Sequence, residues 1–162
     1  MTDLERVLAS LAAAGVRFII VGGVAGTIHG SSRLTQDLDI VYDRSPDNIA
    51  RLVTALDPFR PYLRGAPPGL PFDWSARTVE RGLNFTLTTT VGDVDLLGEI
   101  IGGGGYDNLH THTIQVEIFG NRHECIDLTW LIKTKRSAGR PRDLEAVAEL
   151  EALDEESGGP NQ

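Results

Sequence analysis

Val21–Asp43, VGGVAGTIHGSSRLTQDLDIVYD, is the stretch whose reading decides the fold of this chain. The apolar run Val16–Val21 that leads into it reads as a buried strand. Gly22 and Gly23 break that strand, and Val24–His29 forms a short helix ended by Gly30. The chain then returns to a second strand, Leu38–Tyr42, whose entrance carries Asp37 and Asp39. Residues two apart share a strand face, so the two carboxylates project together while Leu38 and Ile40 point into the core. Glycines let a backbone approach a phosphate closely, and paired carboxylates can hold a divalent metal. Both within one short segment imply an enzyme that handles nucleoside triphosphates.

A further acidic pair, Asp93 and Asp95, lies in VGDVDLL. Asp95 is deeper in the apolar strand, which holds its carboxylate more rigidly. Beside Asp37 and Asp39 it completes a three-carboxylate site for Mg²⁺ (or Mn²⁺), which prefers hard oxygen ligands. Two such ions roughly 3.5–4 Å apart bind a triphosphate and activate a hydroxyl, with Asp95 as ligand and candidate general base. An isolated Asp-x-Asp is ordinarily a solvated strand end. The Gly-Gly turn and the embedded third carboxylate together outweigh that reading, and a share for Asp93 in the metal site stays open.

VGGVAGTIHGSSRLTQDLDIVYD followed by GDVDLLGEI resembles the nucleotidyltransferase superfamily typified by DNA polymerase β and the minimal nucleotidyltransferases. Leu131–Leu150, LIKTKRSAGRPRDLEAVAEL, resembles the closing helices of AbiEii-like nucleotidyltransferases from toxin–antitoxin systems. The likeness spans Val16–Leu153 and implies an α/β (α+β) nucleotidyltransferase fold: a small mixed sheet flanked by helices, with a helical C-terminal cap. It implies transfer of a nucleoside monophosphate from an NTP to a hydroxyl acceptor, with release of pyrophosphate. The acceptor expected is an RNA end or a protein, and a cognate toxin or antitoxin is an expected partner. The alternatives are an antibiotic-type small-molecule transferase and a non-catalytic nucleotide- or partner-binding module. By the same likeness Gly22 and Gly23 approach the triphosphate, and Asp37, Asp39 and Asp95 coordinate metal. Lys135 is the implied nucleotide-binding lysine, joined by Arg140 and Asp143.

Arg33 and Thr35, on the loop before Asp37, either contact phosphate or belong to an exposed turn; a guanidinium fork suits phosphate oxygens. Lys133, Lys135, Arg136, Arg140 and Arg142 form a concentrated basic patch in an acidic chain, suited to a polyanionic substrate or to a solvated helix end. Lys133 and Arg140 join Lys135 as nucleotide-binding candidates. Asp143 reads as a helix-terminal or salt-bridging residue that orients Lys135. His110 and His112 lack further ligands at zinc spacing, and the Gly102–Gly105 run lacks the Lys-Ser/Thr of a P-loop. His29 reads as packing or capping its helix, Cys125 as a buried small hydrophobe, and Trp74 and Trp130 as core or lip residues.

The whole chain sets consistent bounds. Its 162 residues are 41% hydrophobic and suffice for one domain with a real core. The net charge of -8 argues against loose binding along a nucleic-acid backbone. No apolar run spans a membrane, and one cysteine fits a reducing, cytoplasmic setting. Residues 1–153 read as a single domain. Ser45-Pro46-Asp47 starts a helix, Pro58–Pro71 reads as an irregular loop, and Asn84–Thr90 pairs with Val91–Leu97. Thr113–Phe119 and Glu124–Ile126 form a hairpin, Ile126–Lys135 and Arg142–Leu153 are helical, and the 154–162 tail is expected to be disordered.

Overall fold

Among the described residues, seven strands form a mixed sheet in the order β3-β4-β5-β2-β1-β7-β6. The computed structural model describes residues 1–158. In chain order the elements are α1 (Leu4–Ala13), β1 (Phe18–Val21), α2 (Gly22–Ile28), β2 (Asp37–Tyr42), α3 (Pro46–Leu56), β3 (Tyr62–Leu63) and α4 (Ala76–Arg81). There follow β4 (Asn84–Thr89), β5 (Gly92–Leu97), α5 (Tyr106–Leu109), β6 (Thr113–Ile118), β7 (Asn121–Ile126), α6 (Leu128–Ala138) and α7 (Pro141–Glu156). The β2/β5 and β1/β7 pairs are parallel, and the remaining pairs are antiparallel.

Local sequence explains most of these elements. Asp3 caps α1 by accepting the Arg6 N–H at 3.2 Å, and Val7, Leu8 and Leu11 bury one helical stripe. Asp127 caps α6 in the same way, accepting from the Trp130 N–H at 2.7 Å. Along β2 the alternation holds: Leu38 and Ile40 are fully buried, and Asp37 and Asp39 occupy the opposite face. Helix α3 packs on α1 and α4, whereas α6 packs on α2 and α7, so the last two helices form the C-terminal cap.

Several boundaries differ from the sequence reading. Gly22 and Gly23 are the first residues of α2 and not a loop ahead of it. The Pro58–Pro71 stretch is not wholly irregular: it contains β3, which pairs antiparallel with β4 at the sheet edge. Helix α4 was not foreseen; it starts from a Ser75 cap that accepts the Thr78 N–H. Helix α7 continues to Glu156, so Asp154–Glu156 belong to it, because no breaker precedes Ser157. The end of the expected tail, residues 159–162, lies outside the described residues.

Thr2 ties the entrances of the two central strands together. Its buried hydroxyl donates to the Gln36 carbonyl at 2.7 Å and accepts the Asp93 N–H at 2.9 Å. Thr2→Val keeps the volume but strands both partners, so unfolding in urea should show a loss of about 1–3 kcal/mol.

Candidate active site

The parallel register of β2 on β5 sets Asp37 opposite Asp93 and Asp39 opposite Asp95. Oxygens of Asp37, Asp39 and Asp95 thereby come within 4.8 Å of one another. Asp39 Oδ1 is buried with no hydrogen-bond partner. Burial, reinforced by the charges of Asp95 and Asp37, pushes the Asp39 carboxyl up to about 8. A crowded set of carboxylates with an orphaned oxygen is a donor set that fits a hard divalent cation such as Mg²⁺.

Gly22 and Gly23 close the other side of this cluster. Gly22 has φ +66, and a Cβ there would lie 2.1 Å from Asp39 Oδ2. A Cβ on Gly23 would lie 2.6 Å from Thr35 Oγ1, and that hydroxyl donates to the Asp37 carbonyl at 3.2 Å. The two glycines are therefore required by this chain's own side chains, whatever ligand they also meet.

A cleft of about 400 Å³ opens over the cluster between α2, the loop before β2, and the C-terminal helices. Gly22, Gly23, Arg33, Thr35, Asp37, Asp39, Lys135, Arg140, Arg142 and Asp143 all line it. Lys135 projects from α6, half-buried; burial lowers its pKa, opposed by the charges of Asp143 and Asp39. Arg140 grips Asp143 with two donors, at 2.6 and 3.2 Å, and Asp143 is 3% exposed. Burial alone would raise the Asp143 carboxyl, but Arg140 more than offsets this and holds it below its ordinary value. The direct partner of Asp143 is thus Arg140, and it acts on Lys135 through charge. Arg33 stands 3.5 Å from Glu145 of α7.

The basic patch does not act as one. Two helical positions are about 200° of rotation apart, so Lys133 points away from Lys135 and does not line the cleft. Its ammonium lies 3.9 Å from the centre of the Trp130 ring. Arg136 pairs with Glu151.

A second cleft of about 530 Å³ meets the first at Gly22, Asp39, Lys135, Arg140 and Asp143. Leu97, Ile100, Ile101, Leu131 and Ala138 give it an apolar wall, with Asn84 and Glu99 beside them. The sequence reading missed this wall, which is assembled from separate elements. It also missed Arg64, whose guanidinium lies 2.7 Å from Asp95 Oδ1 and 3.9 Å from Asp37 Oδ2.

The remaining singled-out residues have structural partners. His110 pairs with Glu124 at 3.1 Å and stacks on Tyr106, while His112 stacks on Trp130. His29 Nε2 lies 2.7 Å from the Ile126 carbonyl, which ties α2 to β7. Burial raises the Cys125 thiol to about 12, which leaves it an unreactive core group. Trp74 lines neither cleft and donates to the Val53 carbonyl at 3.0 Å. Among the described residues no helix is long and apolar enough to cross a membrane.

No protein-family model and no curated protein matches this chain by sequence. Among solved structures, its fold is similar to that of LnuA, a lincosamide antibiotic adenylyltransferase crystallised with lincomycin. That match has 12% identity and a TM-score of 0.62, covering 94% of this chain and 98% of the other. It is also similar to an antigenic nucleotidyltransferase-like protein from Paracoccidioides brasiliensis, with 14% identity and a TM-score of 0.57, covering 94% of this chain and 78% of that one. The chain has the nucleotidyltransferase fold, as the Gly-Gly turn and spaced carboxylates led one to expect.

Two outcomes follow from the geometry. Gly22→Ala must displace Asp39 and adopt an unfavourable backbone conformation, so thermal melts should show a loss of at least about 2 kcal/mol. The second concerns pH. A carboxyl whose pKa rises on folding holds its proton more tightly in the folded state. Its contribution to stability is complete below its ordinary 3.8 and is lost as pH climbs to about 8. The metal-free protein should lose Tm between about pH 4 and pH 8, and Asp39→Asn should flatten that slope. Mg²⁺ should raise Tm most at the alkaline end; equal slopes in the two proteins would contradict the assignment.

Proposed function

We propose that this protein is a metal-dependent nucleotidyltransferase that moves a nucleoside monophosphate from an NTP to an acceptor hydroxyl. The observation that carries the reading is the carboxylate cluster, with its orphaned oxygen, beneath a cleft walled by Lys135, Arg140, Arg142 and Arg33. Asp37, Asp39 and Asp95 are the residues that would hold a divalent metal. When bound, the metal supplies positive charge to the phosphoryl oxygens and the leaving pyrophosphate.

This chain's own groups account for the rest. Lys135 and Arg140 bind and orient the triphosphate, and Asp143 keeps Arg140 in place. The acceptor oxygen attacks the α-phosphorus in line; the new O–P bond forms as the bond to the β-phosphate oxygen breaks. Asp95 takes the hydroxyl proton. Thr35 and the two glycines fix the position of the β2 entrance.

On the acceptor side, a small hydroxylated molecule with an apolar body is favoured over an RNA end or a protein. The wall that the second cleft adds is apolar, and the one further charged group on its lining is the carboxylate of Glu99. That carboxylate and the apolar wall offer an RNA backbone no cation beyond those already facing the triphosphate. The fold shared with a lincosamide adenylyltransferase along nearly its whole length supports the same choice.

Incubation with each α-labelled NTP, Mg²⁺ or Mn²⁺, and panels of small hydroxylated compounds, RNA and proteins should label a small molecule. Asp39→Asn should lower turnover by about 10²–10³-fold, and Lys135→Ala should chiefly weaken NTP binding. Absence of label on every acceptor, with Asp39→Asn leaving metal binding unchanged, would defeat this reading. Label on RNA or protein alone would overturn the acceptor choice.

A further inference from the structure

Arg64 follows the two-residue strand β3 and reaches across β4 to the carboxylates. Its backbone N–H donates to the Thr86 carbonyl at 3.0 Å, which fixes where the side chain begins. Nη2 donates to the Leu87 carbonyl and to Asp95 Oδ1, each at 2.7 Å. Nη1 lies 3.9 Å from Asp37 Oδ2. Nε lies 3.3 Å from Asp93 Oδ2 but at an angle that makes no hydrogen bond, so this buried donor is unsatisfied. One guanidinium therefore serves three carboxylates at once. Three carboxylates within 3.9 Å of one guanidinium make charge the dominant force on its position.

We propose that Arg64 is the positioning residue for Asp95 and the resident counter-cation of the carboxylate cluster. By holding Oδ1 it leaves the second oxygen of Asp95 for the cluster and for the acceptor proton. Arg64 does not reach Asp39, so its charge supports the cluster from the β5 side and leaves the orphaned oxygen for a cation. A divalent ion entering the site adds to a charge already present. Removing Arg64 should tighten ion binding while it slows transfer, two effects that a merely structural residue would not combine. The kinetic half of this inference rests on the nucleotidyl-transfer reading; the ion-binding half does not.

The test compares the full chain with Arg64→Ala and Arg64→Lys, with Arg64→Gln standing in for alanine should that variant not fold. Mn²⁺ binding is followed by the spin-resonance signal of the free ion, without nucleotide. Arg64→Ala should bind Mn²⁺ at least about fivefold tighter and melt about 2–4 °C lower in EDTA, with Mn²⁺ restoring it. Its kcat should fall about 10²-fold with KM for NTP nearly unchanged. Arg64→Lys should return Mn²⁺ affinity to the parental value but not kcat, because an ammonium restores charge without the fork. Unchanged or weaker Mn²⁺ binding in Arg64→Ala, or full recovery of kcat by lysine, would overturn the proposal. If no protein transfers nucleotide while the Mn²⁺ and EDTA results hold, the transfer reading fails and the counter-cation role stands. If transfer is seen and Mn²⁺ affinity does not move, the reverse is true.

Discussion

The rest of the molecule depends on the parallel, in-register pairing of β2 with β5. It places Asp37 beside Asp93 and Asp39 beside Asp95, four carboxylates on one face of two adjacent strands. Two like charges about 4 Å apart near a protein surface repel by about 4 kcal/mol. A small domain has a total stability of about 5–15 kcal/mol, so such a cluster cannot stand uncompensated. The chain compensates it in part: Arg64 from the β3 side, Lys135 from α6, and a proton on Asp39 when the pH is low enough. A divalent cation would complete what those groups leave unfinished, which is the physical ground for reading the cluster as a candidate metal site.

The other parts of the site arrange themselves around this pairing. Asp39 needs room, and Gly22 provides it at the first residue of α2. Thr35 closes over Gly23 and holds the backbone of Asp37. The C-terminal cap brings a lysine and an Arg140–Asp143 pair over the same face. The cleft is therefore basic although the chain as a whole carries a charge of -8. Local charge, not net charge, decides what it can bind.

The sequence made the centre legible and the periphery less so. Strand β1, the Gly-Gly turn and strand β2 follow one another within about two dozen residues, and alternation puts Asp37 and Asp39 on one face without tertiary information. The approach of Asp95 could be expected from its apolar setting. The register that makes it the neighbour of Asp39 is a long-range property that no local pattern encodes. Arg64 was hidden for a related reason: β3 is two residues long, lies in a Pro/Gly-rich stretch, and exists because β4 pairs with it. The glycines were read for a ligand's approach, whereas the structure gives them a nearer partner in Asp39 and Thr35. The basic run Lys133–Arg142 looked like one patch because sequence proximity was not resolved into helix faces.

Specificity for an acceptor would come from outside the carboxylate centre. In the proposed reaction the centre would set which bond is made, and the walls what is held next to it. Helix α6 joins the two: Lys135 faces the basic cleft, while Leu131 and Ala138 line the apolar one. The segment carrying Ile100 and Ile101 is held against the same helix. A Cβ on Gly102 would lie 2.4 Å from Ser137 Oγ, and Ser137 in turn donates to the Lys133 carbonyl at 2.8 Å. Ile100 also pairs with Gly104, so the glycine-rich run is a folded turn seated on α6. A shift of α6 that followed engagement of Lys135 by a triphosphate would therefore move the acceptor wall with it. In this architecture the two clefts share one helix, and α6 contributes side chains to both.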